Sequence, residues 1–183
     1  SGDTLTGGAG NDILWGQAGT DTINGGAGND IIQVDVAANF EDLASPDVID
    51  GGEGTDVLNF GAAVNWTVAA EDLNIVNVER ITFDSTGNAS ITVNDAVYTT
   101  AGATDMDIRD TEGTGTFTVV ASALSAANSV TVTTSGAAIV DTITGGAGDD
   151  TLKVTTNATG SWATTDTFTG GKGTEEMIIS VGN

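Results

Sequence analysis

Carboxylates recur in this chain at intervals that could bring them together in pairs. Asp3 and Asp21 stand 18 residues apart, and so do Asp12 and Asp30. The step is 26 from Asp21 to Asp47 and from Asp30 to Asp56. It is 25 from Asp141 to Asp166 and from Asp150 to Glu175. Paired carboxylates can serve acid–base chemistry on a sugar or hold a hard cation. The chain has no His and no Cys, which removes most nucleophile–base pairs. The residues around the aspartates favour the cation.

Six of these acidic residues, Asp12, Asp21, Asp30, Asp56, Asp150 and Glu175, follow a glycine-rich turn. Gly7-Gly8-Ala9-Gly10-Asn11-Asp12-Ile13-Leu14-Trp15 reads G-G-x-G-x-D-x-U-x, with U a large apolar residue. Gly16-Gln17-Ala18-Gly19-Thr20-Asp21 follows directly, and then Gly25-Gly26-Ala27-Gly28-Asn29-Asp30. Further copies are Gly51-Gly52-Glu53-Gly54-Thr55-Asp56, Gly145-Gly146-Ala147-Gly148-Asp149-Asp150 and Gly170-Gly171-Lys172-Gly173-Thr174-Glu175. Glycine lets a turn enter backbone regions closed to other residues and direct its carbonyls inward. Carbonyl and carboxylate oxygens together suit Ca²⁺. The residues after each Asp read as a short strand with U pointing into a core.

Two nonapeptides make one coil, so turns on the same side lie 18 residues apart. A calcium between two such turns would take an Asp from each, and sites would repeat at about the 4.8 Å strand spacing. The steps of 26 share an excess of 8, and the steps of 25 share an excess of 7. Equal excess on both sides of a coil is what an insertion produces when stacking resumes beyond it. Six calcium positions are therefore expected, bridged by Asp3/Asp21, Asp12/Asp30, Asp21/Asp47, Asp30/Asp56, Asp141/Asp166 and Asp150/Glu175. Glu175 departs from the pattern, and its longer side chain would bind differently or leave its position empty.

These elements give an all-β chain, a right-handed parallel β-roll or β-helix. Residues 1–60 form a first roll with Leu5, Leu14, Ile23 and Ile32 in its core, Trp15 facing outward, and an insertion at about 34–41. The excursion to residue 46 holds Phe40, Leu43 and Pro46. Residues 61–140 lose the glycines but keep period-two runs such as Ile91-Thr92-Val93 and Val130-Thr131-Val132-Thr133, which read as strands with one buried face. A weak repeat of 26 residues aligns Ile91-Thr92-Val93 with Phe117-Thr118-Val119. Larger metal-poor coils of the same helix are expected here, with an inserted β-sandwich as the alternative. Glu79 and Arg80 point to opposite faces; Glu79 could face a turn or the core mouth, and a solvent-exposed pair is the plainer reading. Asp105, Asp107 and Arg109 share a strand face that is either solvated or an extra cation site. Residues 141–183 form a second roll with an insertion at about 155–161.

Net charge is −22, from 26 acidic and 4 basic residues. That excludes nucleic acid as a partner, whose phosphates would be repelled, and disfavours an anionic membrane surface. Stacked carboxylates without metal repel each other and hold the chain open until cations arrive. With no disulfide, metal must supply the cross-linking. No transmembrane run is expected. The chain opens on the tail of one copy, Asp3-Thr4-Leu5-Thr6, and closes just after another, so it reads as a segment of a longer protein.

The nonapeptides resemble those of secreted RTX calcium-binding proteins. With the segments Asp72–Ile81 and Val120–Ser125 between them, the chain is similar to RTX-containing bacterial surface-layer proteins and large adhesins. That resemblance implies type I secretion in an unfolded state, an extracellular or cell-surface location, and a non-enzymatic structural role in a lattice or fibre that locks on calcium. The alternative it leaves is a folding and secretion domain of a type I secreted protease or lipase. Strand edges at the ends of a parallel helix favour self-association. Trp15, Trp66 and Trp162 could stack on cell-surface polysaccharide, but packing is the plainer account of all three.

Overall fold

The computed structural model describes residues 2–17, 19–34, 47–61, 65–70, 74–84, 86–101, 104–111, 115–134, 141–156 and 166–181. Val34, Thr155 and Thr156, expected inside the two insertions, are paired strand residues instead. The remainder of both insertions, with Phe40, Leu43 and Pro46, and also Trp162, lie outside the described residues.

Alternating Thr/Val/Ile segments form short strands, and every strand pairing among the described residues is parallel. One sheet contains β1 (Thr4–Ala9), β3 (Thr22–Ala27), β5 (Val48–Glu53) and β8 (Ile75–Val76). A second holds, in spatial order, β2 (Ile13–Trp15), β4 (Ile31–Val34), β6 (Val57–Phe60), β9 (Arg80–Phe83), β11 (Asp105–Asp110), β13 (Ser129–Thr134), β15 (Thr151–Thr156) and β17 (Glu176–Val181). The third contains β7 (Trp66–Val68), β10 (Ala89–Asn94), β12 (Phe117–Ala123), β14 (Thr142–Thr144) and β16 (Thr167–Thr169). The chain returns to the eight-stranded sheet once per coil, which makes a parallel β-solenoid.

Register puts one inward residue of each coil on top of the last. Along the eight-stranded sheet the ladder is Leu14, Ile32, Leu58, Ile81, Ile108, Val132, Leu152 and Met177. Leu5, Ile23, Ile49 and Ile75 stack in the first sheet. Ile23 and Ile32 are buried, Leu5 and Leu14 are partly buried in the end coil, and Trp15 is exposed. The inserted-sandwich alternative would break the long sheet between β6 and β9. Instead these strands pair directly, Leu58 on Ile81 and Phe60 on Phe83, so the core is continuous. Phe60 and Phe83 stack at 5.0 Å between centroids, Trp66 meets Phe60 edge-on at 5.0 Å, and Phe117 meets Phe83 at 5.7 Å. The buried Trp66 indole N–H donates to the Gly61 carbonyl at 2.9 Å, so Trp66 is a core residue.

Two features depart from the sequence reading. The expected 26-residue repeat would set Ile91 on Phe117. The structure sets Ile91 on Val119 and Ala89 on Phe117, an offset of 28. A slip of two keeps every side chain on its face, so the hydrophobic pattern alone could not distinguish the two registers. The fold is also nearly, rather than entirely, β: α1 (Asp95–Ala101) follows β10. Asn94 Oδ1 accepts from the backbone N–H of Ala96 and of Val97 and so caps its first turn. Val97 and Tyr98 are buried, and the Tyr98 hydroxyl donates to the Ser129 carbonyl at 2.8 Å. No helix among the described residues is long and apolar enough to cross a membrane.

Ile81 is fully buried in mid-ladder and Leu14 only partly so in the end coil. Denaturant melts of the calcium-loaded protein should show Ile81→Ala costing about 2–5 kcal/mol, with Leu14→Ala well below that.

Candidate metal centres

The glycine turns take the conformations their sequence requires. Gly26 (φ 106°) and Gly28 (φ 135°) are left-handed, as are the equivalent Gly8, Gly10, Gly52, Gly54, Gly171 and Gly173. In the second copy Gly19 (φ 141°) keeps this geometry, and Gln17 adopts it at φ 61° although it is not glycine. The first-position glycines serve a different purpose. A Cβ on Gly25 would run into the Gly51 carbonyl and Asp30 Oδ2. One on Gly7 would meet the Gly25 carbonyl and Asp12 Oδ2, and one on Gly16 would meet Asp21 Oδ2. Carboxylate and carbonyl oxygens therefore converge where a side chain would stand.

All six expected pairs are brought together by the same hydrogen bond. The backbone N–H of one acidic residue donates to the carboxylate one coil on. Asp3 reaches Asp21 at 2.7 Å, Asp12 reaches Asp30 at 2.8 Å, Asp21 reaches Asp47 at 2.8 Å and Asp30 reaches Asp56 at 2.7 Å. In the second roll Asp141 reaches Asp166 at 2.9 Å and Asp150 reaches Glu175 Oε2 at 3.2 Å.

This bond occupies one oxygen of each acceptor. The second oxygens of Asp21, Asp30 and Asp56, Oε1 of Glu175, and also Oδ2 of Asp12 at the end of the column, are buried with no hydrogen-bond partner. An unsatisfied buried acceptor costs about 1–3 kcal/mol, and more when charged, so these oxygens call for a cation. Burial pushes the Asp47 and Asp56 carboxyls above their ordinary range; for Asp56 the neighbouring Asp30, Glu79 and Asp50 push the same way. A bound cation would favour the ionised form instead. Among the described residues no three Asp, Glu, His or Cys side chains gather round one point. The carboxylates come in pairs, and the rest of a calcium shell of roughly six to eight oxygens falls to carbonyls. The donor set fits calcium, a hard ion that takes oxygen ligands in flexible geometry.

The first coil of the second roll differs. Gly146 and Gly148 are not left-handed. Asp150 Oδ1 accepts from Val130 N–H at 2.9 Å and its Oδ2 from Gly146 N–H at 2.7 Å. Asp141 is likewise saturated, by Phe117 N–H at 3.1 Å and the Thr134 hydroxyl at 2.6 Å. This coil rests on metal-poor coils, and donors from them, together with the turn's own Gly146 N–H, fill the places a cation would take. A Cβ on Gly145 would still meet Asp150 Oδ2 and the Gly170 carbonyl, whereas at Gly170 the Glu175 side chain takes up the room.

Sequence reasoning missed two sets of residues. The fifth position of each copy is Asn, Asp or Thr, a signal that was present. Asn11 Oδ1 accepts from Asn29 N–H, Asn29 Oδ1 from Thr55 N–H and Asp149 Oδ1 from Thr174 N–H, at 2.7–2.9 Å. These bonds run opposite to the carboxylate bonds and tie adjacent turns both ways. The second is Glu79, where the turn-facing alternative holds in place of the plainer exposed pair. Its Oε2 accepts from Asp56 N–H at 2.8 Å, in the place an Asp of the next turn would fill. Asp107 is also settled. Burial would raise its pKa, but hydrogen bonds from Arg109 and Arg80 outweigh that and hold the carboxyl below the usual range. Both guanidiniums engage its Oδ2, which makes it an ion-pair centre, while its Oδ1 is buried with no hydrogen-bond partner.

The family model of the RTX calcium-binding nonapeptide repeat matches this chain in four copies, over residues 1–32, 39–65 and 136–153. No curated protein and no solved structure matches it. The repeats are calcium-binding, and calcium is the ion of this chain.

Asp30 serves two interfaces, accepting from Asp12 and donating to Asp56. Asp30→Asn should weaken calcium binding in the first roll by more than the ~10–100-fold that loss of an outer-shell group costs, as read by titration calorimetry. Asp50 bonds the Asn24 and Asn77 side chains instead of a neighbouring turn's N–H, and Asp50→Asn should have a smaller effect.

Proposed function

We propose that this chain is a calcium-dependent structural module of a secreted bacterial cell-surface protein, of the surface-layer or adhesin type. The observation that carries this reading is the column of buried, unpartnered carboxylate oxygens between stacked turns of a continuous solenoid. Calcium binds the stacked turns and not the open chain, so folding follows the free calcium concentration by linkage. Extracellular modules bind calcium at about 10⁻⁴–10⁻³ M, far above cytosolic levels. The roll would therefore stay open before export and lock outside the cell. The charge of −22 opposes premature collapse in the same way.

The role is mechanical rather than catalytic. The paired carboxylates are committed to neighbouring turns, and the chain offers no His or Cys to act with them. Once locked, a rigid solenoid presents open strand edges and a regular outer face for contacts in a lattice or fibre.

A calcium titration followed by far-UV circular dichroism, with magnesium as the control, tests the reading. The β signal should rise cooperatively with Ca²⁺ and not with Mg²⁺, and sedimentation should show larger species at the same calcium level. A β signal complete in chelator, with a monomer at all calcium levels, would contradict it.

A further inference from the structure

The column of acidic turns does not stop where the glycine repeats stop. Beyond Gly51–Asp56 the chain makes a turn of another kind, Asn77-Val78-Glu79. Register places Asp50 beside Val76 and Val57 beside Arg80, so this turn is three residues shorter than the nonapeptide turn beneath it. Asn77 achieves the tight reversal in the left-handed region, at φ 52°, which Asn tolerates better than most residues. The shorter turn carries a longer acid. Glu79 reaches back so that Oε2 takes the Asp56 N–H, the bond that Asp56 takes from Asp30 and Asp30 from Asp12.

The carbonyl column continues as well. A Cβ on Gly7 would meet the Gly25 carbonyl, one on Gly25 the Gly51 carbonyl, and one on Gly51 the Asn77 carbonyl. At Gly51 the same point lies 2.7 Å from Asp56 Oδ2. Asp56 is fully buried, and this oxygen has no hydrogen-bond partner. An orphaned carboxylate oxygen thus faces a main-chain carbonyl, with a second carboxylate closing the turn above. Asp56 Oδ2 has no donor such as the Gly146 N–H that saturates Asp150.

We propose that Asp56, the Asn77 carbonyl and Glu79 form a further calcium site, which caps the first roll outside the nonapeptide repeats. It rests on the calcium-filled column proposed above and extends it by one position. Glu79 lies outside every stretch that the repeat family matches. The cap has a structural consequence. It joins the last calcium turn to β9, whose strand continues into the metal-poor coils through Arg80 and Ile81. Calcium at this point would fasten the roll to the rest of the solenoid.

Crystals of the full chain grown in calcium, measured at long wavelength for anomalous scattering, test the site directly. The expected map has a peak between Asp56 and Glu79 in line with peaks between Asp12 and Asp30 and between Asp30 and Asp56. In solution, Glu79→Gln keeps an oxygen for the Asp56 N–H and removes the charge, so equilibrium dialysis should count one calcium fewer than in the parent chain. Peaks at the two lower positions with none at Asp56/Glu79 would overturn the cap and leave the roll intact, as would an unchanged count in Glu79→Gln. A map with no peak between any turns would overturn both.

Discussion

A carboxylate has two oxygens, and in this stack of turns only one of them finds a backbone N–H. The first roll, and the way it joins the coils beyond it, depend on that imbalance. Parallel coils place each acidic residue over the last, and the N–H of one donates to the carboxylate of the next. The second oxygen faces inward, shielded from water and beside other negative charges. Total stabilities of small proteins are about 5–15 kcal/mol, so several such oxygens could not be left unsatisfied. Calcium converts the liability into a cross-link.

The metal-poor coils show what the same architecture does without the ion. Their inward faces carry Ile, Val and Phe in register, and the aromatic group of Phe60, Trp66, Phe83 and Phe117 sits where the first roll gives way to them. Where they meet the second roll, protein donors take over: Val130, Gly146, Phe117 and Thr134 saturate Asp150 and Asp141. One solenoid thus uses two kinds of glue, ions between glycine turns and apolar ladders between larger coils.

Much of this was legible in the sequence because two steps of equal excess have a single geometric meaning. The equal offsets at Asp21/Asp47 and Asp30/Asp56 set the register across residues that the structure does not describe, and Ile23 stacks on Ile49 accordingly. Glu79 escaped because its turn is shortened, so its offset from Asp56 is 23 and matches neither repeat. The register at Ile91 escaped because a slip of two leaves the hydrophobic pattern unchanged. The closure of Asp141 and Asp150 was invisible because it combines donors from neighbouring coils, Val130, Phe117 and Thr134, with a changed backbone in the turn itself that frees the Gly146 N–H, and the motif encodes neither.

The central claim is that calcium holds the first roll together while the apolar ladders hold the metal-poor coils. Amide hydrogen exchange, residue by residue in calcium and in chelator, tests it most directly. The N–H groups of Asp12, Asp21 and Asp30 should be protected only with calcium, whereas those of Ile108 and Val132 should remain slow in chelator. Equal protection of both groups in chelator would contradict the account.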